Sequence, residues 1–218
     1  MNNIFKRDWL IFIILIAPFL ALPFFWDMLP DQIPTHFNIH GRPDQYSDKT
    51  FGLLLLPGIN ILVYFVFLLA PYLDPRRKNY ELFEDKLKII RLVTHLFLAY
   101  IFALIILFSL GHAFDLTMAT LYGMIALFLV LGNYMGNVRP NNFIGVRTPW
   151  TLGDEEVWKL THRFTAKLWV ISSVMMMVIL PFVKGQIFWI IAFTLVISIV
   201  PITYSYIVYQ NLRKGKIS

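Results

Sequence analysis

Two histidines and an aspartate near residue 40 have the spacing of a metal site. His36 and His40 are separated by three residues, and Asp44 follows after three more. On a helix this spacing would place the three side chains on one face, where they would suit zinc. The segment also contains two prolines and a glycine, which predict a turn-rich loop, and the chain has no cysteine for a thiolate site. We therefore predict no metal site and interpret the segment as a folded cap.

A second pattern with catalytic potential is the pair Glu155-Glu156, which is followed by His162. Adjacent glutamates of the form EExxxR occur in intramembrane metalloproteases, but Leu160 stands at the position that should hold arginine. The H-E-x-x-H and G-x-S-x-G motifs are absent from the sequence, and so is a phosphate-binding glycine loop. The sequence therefore predicts neither an enzyme nor a bound cofactor.

These residues stand between long apolar runs that predict membrane-spanning helices. The chain is 58% hydrophobic and 15% charged, whereas soluble domains have about 25% charged residues. Most of the runs have about twenty residues, the length that an α-helix needs to cross the hydrocarbon core. The six runs are approximately Trp9–Met28, Phe51–Leu73, Ile89–Leu110, Leu116–Met135, Leu168–Val183 and Ile187–Tyr209.

The basic residues indicate how these runs are oriented. All but three of the 19 Lys and Arg residues lie before the first run, in or beside alternate connections, or after the last run. The exceptions are Arg42, Lys49 and Lys184, which lie in the remaining connections. Because basic connections stay on the cytoplasmic side, both termini are predicted to be cytoplasmic. The net charge of +6 is explained by these connections, so we predict no direct binding of nucleic acid.

The predicted fold is therefore all-α: one integral membrane domain over residues 1–218, with six transmembrane helices and membrane lipid as a partner. Two ionisable side chains lie in the third run, where such residues are functional candidates. We expect Arg91 to extend towards the lipid headgroups, as long basic side chains do near helix ends. His95 lies one turn deeper, and we expect it to bond a neighbouring helix.

The connection after the fourth run has the densest set of polar and aromatic side chains outside the spans. Val157, Leu160 and Phe164 follow helical spacing, which predicts a short amphipathic helix between the fourth and fifth spans. Thr151 is predicted to cap the start of this helix. The candidate binding or loop-organising residues are Asn142, Gly145, Arg147, Thr148, Pro149, Trp150, Thr151, Trp158, Thr161 and His162.

Two stretches of the chain resemble known families. The stretch IPTHFN at residues 33–38, followed by GRPD at residues 41–44, resembles the domain of unknown function DUF1648, over about residues 10–60. The stretch RPNNFIGVRTPWTL at residues 139–152, with Glu156-Val157-Trp158 and Thr161-His162-Arg163, is similar to the SdpI family, over about residues 115–210. The candidate binding residues in the first stretch, on the predicted outer face, are Pro34, His36, Phe37, Gly41, Arg42 and Asp44.

The resemblance implies a protein of the bacterial cytoplasmic membrane that protects the cell from a secreted, membrane-active peptide toxin. It further implies a signalling role, in which a winged-helix repressor is held at the membrane as a second partner. The residues themselves leave an alternative open. Prolines within the spans, a shared Arg-Pro pair in the two long connections and an ionisable residue in a span also suit a small transporter built as a 3+3 inverted repeat.

Overall fold

The six predicted spans are confirmed by the helices of the structure. The computed structural model describes residues 4–38, 42–182 and 186–215. Within these residues, six helical segments are apolar and long enough to cross a membrane, with mean hydropathy between 1.7 and 2.5. They are Arg7–Met28, Lys49–Leu73, Arg77–Ser109, Leu116–Met135, Glu155–Phe182 and Phe188–Arg213. Helices suit this setting because every backbone polar group within a helix is paired without water.

The α-helices carry the labels α1 to α7 in chain order. They are α1 (Ile4–Phe25), α2 (Lys49–Leu73), α3 (Glu84–Ser109), α4 (Leu116–Met135), α5 (Pro149–Gly153), α6 (Glu155–Ile179) and α7 (Gln186–Arg213). Short 3-10 helices extend three of the spans, at Trp26–Met28, Arg77–Phe83 and Leu180–Phe182. By contacts between residues, the chain divides into two compact units. The first comprises Met1–Phe67 with Arg91–Met124, and the second comprises Leu68–Ile90 with Ile125–Ser218.

The connection between α1 and α2 is a β-hairpin, where the sequence had predicted a turn-rich loop. Strand β1 (Gln32–Phe37) pairs antiparallel with β2 (Pro43–Asp48), and the ladder is irregular on both sides of His36. The hairpin accommodates prolines because each strand has one edge without a partner strand, and a proline needs no partner there. Ile33 is fully buried in a cluster of the first unit with Leu22, Leu29, Leu53, Phe102 and Ile106.

The prediction for Arg91 was wrong. Its side chain is 4% exposed and forms a two-pronged ion pair with Asp8 of α1, whose side chain is 1% exposed. Because the guanidinium is paired with a buried carboxylate, it does not extend to the lipid headgroups. The prediction for His95 is confirmed, because its Nδ1 lies 2.6 Å from Oδ1 of Asn60 on α2.

The start of α6 also differs from the prediction. Asp154 caps this helix, because its carboxylate accepts hydrogen bonds from the backbone N–H groups of Glu156 and Val157. Thr151 instead lies inside the short helix α5, where it forms a capping box with Thr148. The predicted amphipathic segment continues without a break into the fifth span. One rigid helix therefore carries both the polar residues near its start and the apolar residues within the membrane.

Candidate functional site

Five of the six candidates of the predicted outer face lie in or beside the hairpin. His36 and Asp44 form a pair across the two strands, with Nδ1 and Oδ1 2.6 Å apart, and both side chains are exposed. Phe37 packs edge-on against Phe108 of α3, with ring centroids 5.5 Å apart. Pro34 is buried, and Arg42 bonds through its backbone N–H to the side chain of Asn38. Gly41 and His40 lie outside the described residues.

The hairpin therefore presents an acid–base pair on its surface and an aromatic contact near its turn. In the part of the chain that the structure describes, no three His, Asp or Glu side chains form a group that could hold a metal ion. The surface of the hairpin is suited to polar contacts with a partner, since the His36–Asp44 pair remains accessible.

The second candidate set is organised by a residue that sequence reasoning missed. Asp74, directly after α2, is 2% exposed, and its carboxylate accepts hydrogen bonds from the backbone and side-chain amides of Asn142, both at 2.7 Å. The hydroxyl of Tyr80 donates to the same carboxylate at 2.9 Å, and the backbone N–H of Arg76 donates at 2.8 Å. Four donors on one carboxylate anchor the loop of residues 136–148, called the motif loop below, to the end of α2.

These donors determine the protonation of Asp74. Burial raises the pKa of the carboxyl, but the hydrogen bonds from Asn142, Arg76 and Tyr80 outweigh burial, and the pKa is lowered from 3.8. A lowered folded-state pKa means that ionised Asp74 stabilises the fold above the unfolded-state pKa, and that this contribution is lost as the pH falls through the folded-state pKa.

We expect Asp74→Asn to destabilise the protein at neutral pH by about 2 kcal/mol, because an amide cannot accept from all four donors. The difference from the native protein should shrink as the pH falls below 3.8, where the native carboxyl becomes protonated as well. Denaturant unfolding in detergent micelles at several pH values measures this difference. Asp31→Asn, which changes an exposed carboxylate, is the matched control and should show little effect. A difference that does not depend on pH would contradict the assigned role of the charge.

Two further side chains shape the motif loop from within. Asn141 is fully buried; its amide donates to the carbonyl groups of Arg139 and Ile144, and its Oδ1 accepts from the backbone of Phe143 and Ile144. The exposed Arg147 reaches back to the backbone carbonyl of Asn142 at 2.6 Å. The guanidinium of Arg147 therefore uses one of its N–H groups for the loop and presents its other N–H groups at the surface.

His162 connects the motif loop to α6. Its Nδ1 lies 2.8 Å from the carbonyl oxygen of Trp158, and its Nε2 accepts a hydrogen bond from the backbone N–H of Val146 at 3.1 Å. Since a carbonyl only accepts, the hydrogen is on Nδ1 and the imidazole is neutral. Trp158 stacks on the same imidazole with ring centroids 4.0 Å apart, and its indole N–H donates to the carbonyl of Val138. His162 and Trp158 thus bond to the motif loop near both of its ends, at Val146 and at Val138.

Gly145 makes this arrangement possible. Its φ of +114° lies in the region that side chains rarely adopt, and a Cβ at this position would overlap Nε2 of His162. The glycine is required twice, for the turn of the loop and for the close approach of the imidazole.

The remaining candidates surround α5. Pro149 occupies the first turn of α5, and Oγ1 of Thr151 donates to the carbonyl of Val146. The indole N–H of Trp150 donates to the hydroxyl of Ser205 on α7, and its ring packs against Tyr206 and Tyr209. Thr161 is fully buried, and its hydroxyl has no hydrogen-bond partner among the residues that the structure describes. The structure thus brings all ten candidates into one unit, in which Arg147 and Pro149 are exposed and Trp150 is partly exposed.

Six apolar spans define a polytopic integral membrane protein. Residues 137–205 match the SdpI/YfhL protein family, and residues 13–61 match the domain of unknown function DUF1648, so the resemblance predicted from the sequence is confirmed for both segments. The chain is 28% identical over 215 residues to a protein named immunity protein SdpI from Bacillus subtilis (strain 168). The similarity covers 97% of this chain and 100% of that relative. No solved structure matches the chain.

Proposed function

We propose that this protein is an immunity protein of the bacterial cytoplasmic membrane, which protects the cell from a secreted, membrane-active peptide toxin. The observation that carries the proposal is the similarity to the immunity protein SdpI, which spans 97% of this chain and the whole of the relative. A match of this extent includes all six spans, the hairpin and the motif loop. The proposed role is binding, and it requires no catalytic residue, metal or cofactor.

We further propose that both termini face the cytoplasm, so that the hairpin faces the outside and the motif loop faces the inside. The distribution of basic residues supports this orientation, because the motif loop and its flanks are rich in arginine and lysine. In this arrangement the exposed His36–Asp44 pair lies on the side from which a secreted toxin arrives. The hairpin and the adjoining helix ends contact the toxin, and the motif loop organises the inner end of the bundle.

We also propose that the protein has a signalling partner in the cytoplasm. Arg139 in the motif loop and Arg163 on α6 are exposed and give the proposed inner face a positive charge. Such a face suits an acidic surface on a cytoplasmic winged-helix repressor, which would be held at the membrane. Membrane fractions that retain such a repressor only when the native protein is present would support this part of the proposal.

The test of the main proposal is survival of a toxin-sensitive bacterium that lacks its own immunity gene. We expect the native protein to protect the cells and Arg147→Ala to lose most of the protection, because this exposed guanidinium also holds the backbone of the motif loop. Arg213→Ala is the matched control, since Arg213 is an exposed arginine whose guanidinium donates to the hydroxyl of Tyr209 on the same helix. Full protection by Arg147→Ala at equal membrane abundance would show that Arg147 is not needed for immunity.

A small transporter is the second candidate, and the buried ionisable side chains of the spans favour it. Asp8, Arg91 and His95 are buried inside the first unit. In transporters, buried ionisable side chains of this kind bind ions or substrates. This candidate predicts flux across the membrane of proteoliposomes, which a toxin-binding protein does not require. Lack of protection at confirmed expression, together with measurable flux, would favour the transporter.

A further inference from the structure

Five polar side chains, called the buried cluster, lie next to one another inside the first unit. Asp8 of α1, Asn60 and Tyr64 of α2, and Arg91 and His95 of α3 are each 5% exposed or less. Polar and charged groups are costly within a membrane and are retained there mostly for a function. Apart from Asn60, these residues lie outside the two segments that match known families.

The contacts within this buried cluster lead from a helix end towards the middle of a span. Asp8 lies in the second turn of α1 and is also bonded by the partly exposed Arg7. Both oxygens of Asp8 accept from Arg91, and Oδ2 accepts from the hydroxyl of Tyr64 at 3.2 Å. The rings of Tyr64 and His95 follow, with centroids 6.0 Å apart. Asn60, which bonds His95, lies near the middle of the 25-residue α2.

The imidazole of His95 has a defined tautomer. The amide nitrogen of Asn60 lies 3.4 Å from the backbone carbonyl of His95, which orients the amide so that its oxygen faces Nδ1. Nδ1 therefore carries the hydrogen and donates it, and Nε2 holds a lone pair. This Nε2 is fully buried and has no hydrogen-bond partner among the described residues. A buried acceptor without a partner points to a group that it binds.

We propose that the buried cluster is an intramembrane proton-binding site, in which Nε2 of His95 takes up a proton from the side of the membrane where α1 begins. Uptake adds one proton and one positive charge to the imidazole, and no other bond changes. Among the described residues, the charged and titratable groups near His95 are Asp8 on α1, Tyr64 on α2 and Arg91 on α3, and Arg7 contacts Asp8. Burial of the imidazole opposes the added charge, as does Arg91 one turn away on the same helix, whereas Asp8 attracts it. Proton uptake is therefore linked to the state of the Asp8–Arg91 pair.

The test is nitrogen NMR of histidine-labelled, full-length protein in lipid nanodiscs, from about pH 8 to about pH 4. The spectrum of His95→Gln identifies the His95 signals. We expect the native His95 to show the Nδ1–H tautomer at the upper end of this range and to bind a proton at Nε2 as the pH falls. In Arg91→Gln the proton should bind about tenfold more tightly, because the repelling charge is gone. The signals of His112, which is exposed and lies outside the buried cluster, should be the same in both proteins and serve as the internal control.

A second variant covers the case in which Arg91→Gln fails to fold because Asp8 lacks its main partner. The double variant Asp8→Asn/Arg91→Gln leaves no unpaired charge at the pair, and it too should bind the proton more tightly than the native protein does. A His95 that stays neutral throughout the folded range, in the native protein and in the variants, would overturn the proposal. The test needs no toxin and no survival assay, so its failure leaves the proposed immunity function untouched.

Discussion

Gly145→Ala is expected to abolish the folded motif loop. Alanine at this position meets two costs together: a backbone φ of +114° that L-residues rarely adopt, and a Cβ that overlaps Nε2 of His162. The overlap is difficult to relieve, because the imidazole is stacked on Trp158 and bonded at both nitrogens. We expect a loss of about 3 kcal/mol or more, from backbone strain and from the broken contacts of His162.

The measurement is thermal unfolding of purified protein in detergent, followed by near-UV circular dichroism of the tryptophans. Trp158 should lose its asymmetric environment first, because it is stacked on the displaced imidazole. Gly153→Ala is the matched control: this glycine has ordinary φ, and a Cβ there would meet nothing within 4 Å. Equal behaviour of the two alanine variants would show that the motif loop accommodates a side chain, and the role assigned to Gly145 would be wrong.

The sequence was sufficient to predict the spans because a membrane imposes a simple rule on composition. A run of about twenty apolar residues has few alternatives to a spanning helix, whatever its neighbours are. The candidate residues between the fourth and fifth spans were chosen from the sequence because polar and aromatic side chains are denser there than elsewhere outside the spans. The structure brings these residues into one unit, and their functional role stays a prediction.

The partners of these residues could not be predicted, because they are distant in the sequence. Asp74 is one acidic residue in a charged connection, and nothing local indicates that it accepts four hydrogen bonds, two of them from Asn142, 68 residues later. The position of Arg91 near a helix end suggested the headgroups, and its carboxylate partner lies 83 residues earlier. The hairpin was missed because two prolines within two strands of six residues each are typical of a loop, although strands with a free edge accept them.

The Asp8–Arg91 pair is expected to produce the second large effect. Removing one member of a buried ion pair leaves an uncompensated charge and typically costs about 3–5 kcal/mol. The two single variants should not be equal. In Arg91→Met, Asp8 keeps its contact with Arg7 at 3.1 Å and its hydrogen bond from Tyr64. In Asp8→Asn, the buried guanidinium loses its carboxylate, so this variant should be the less stable of the two.

The double variant Asp8→Asn/Arg91→Met tests whether Asp8 and Arg91 stabilise the protein as a pair or through independent contacts. Because it leaves no unpaired charge between the two positions, it should be more stable than Asp8→Asn alone, even though it carries one substitution more. The measurement is denaturant unfolding in detergent micelles, followed by tryptophan fluorescence, for the native protein and the three variants. Strictly additive losses would mean that the two side chains do not stabilise each other. A loss in the double variant smaller than the sum would show that the pair acts as a unit, so that a conformational change that separates Asp8 from Arg91 must supply the free energy of the pair.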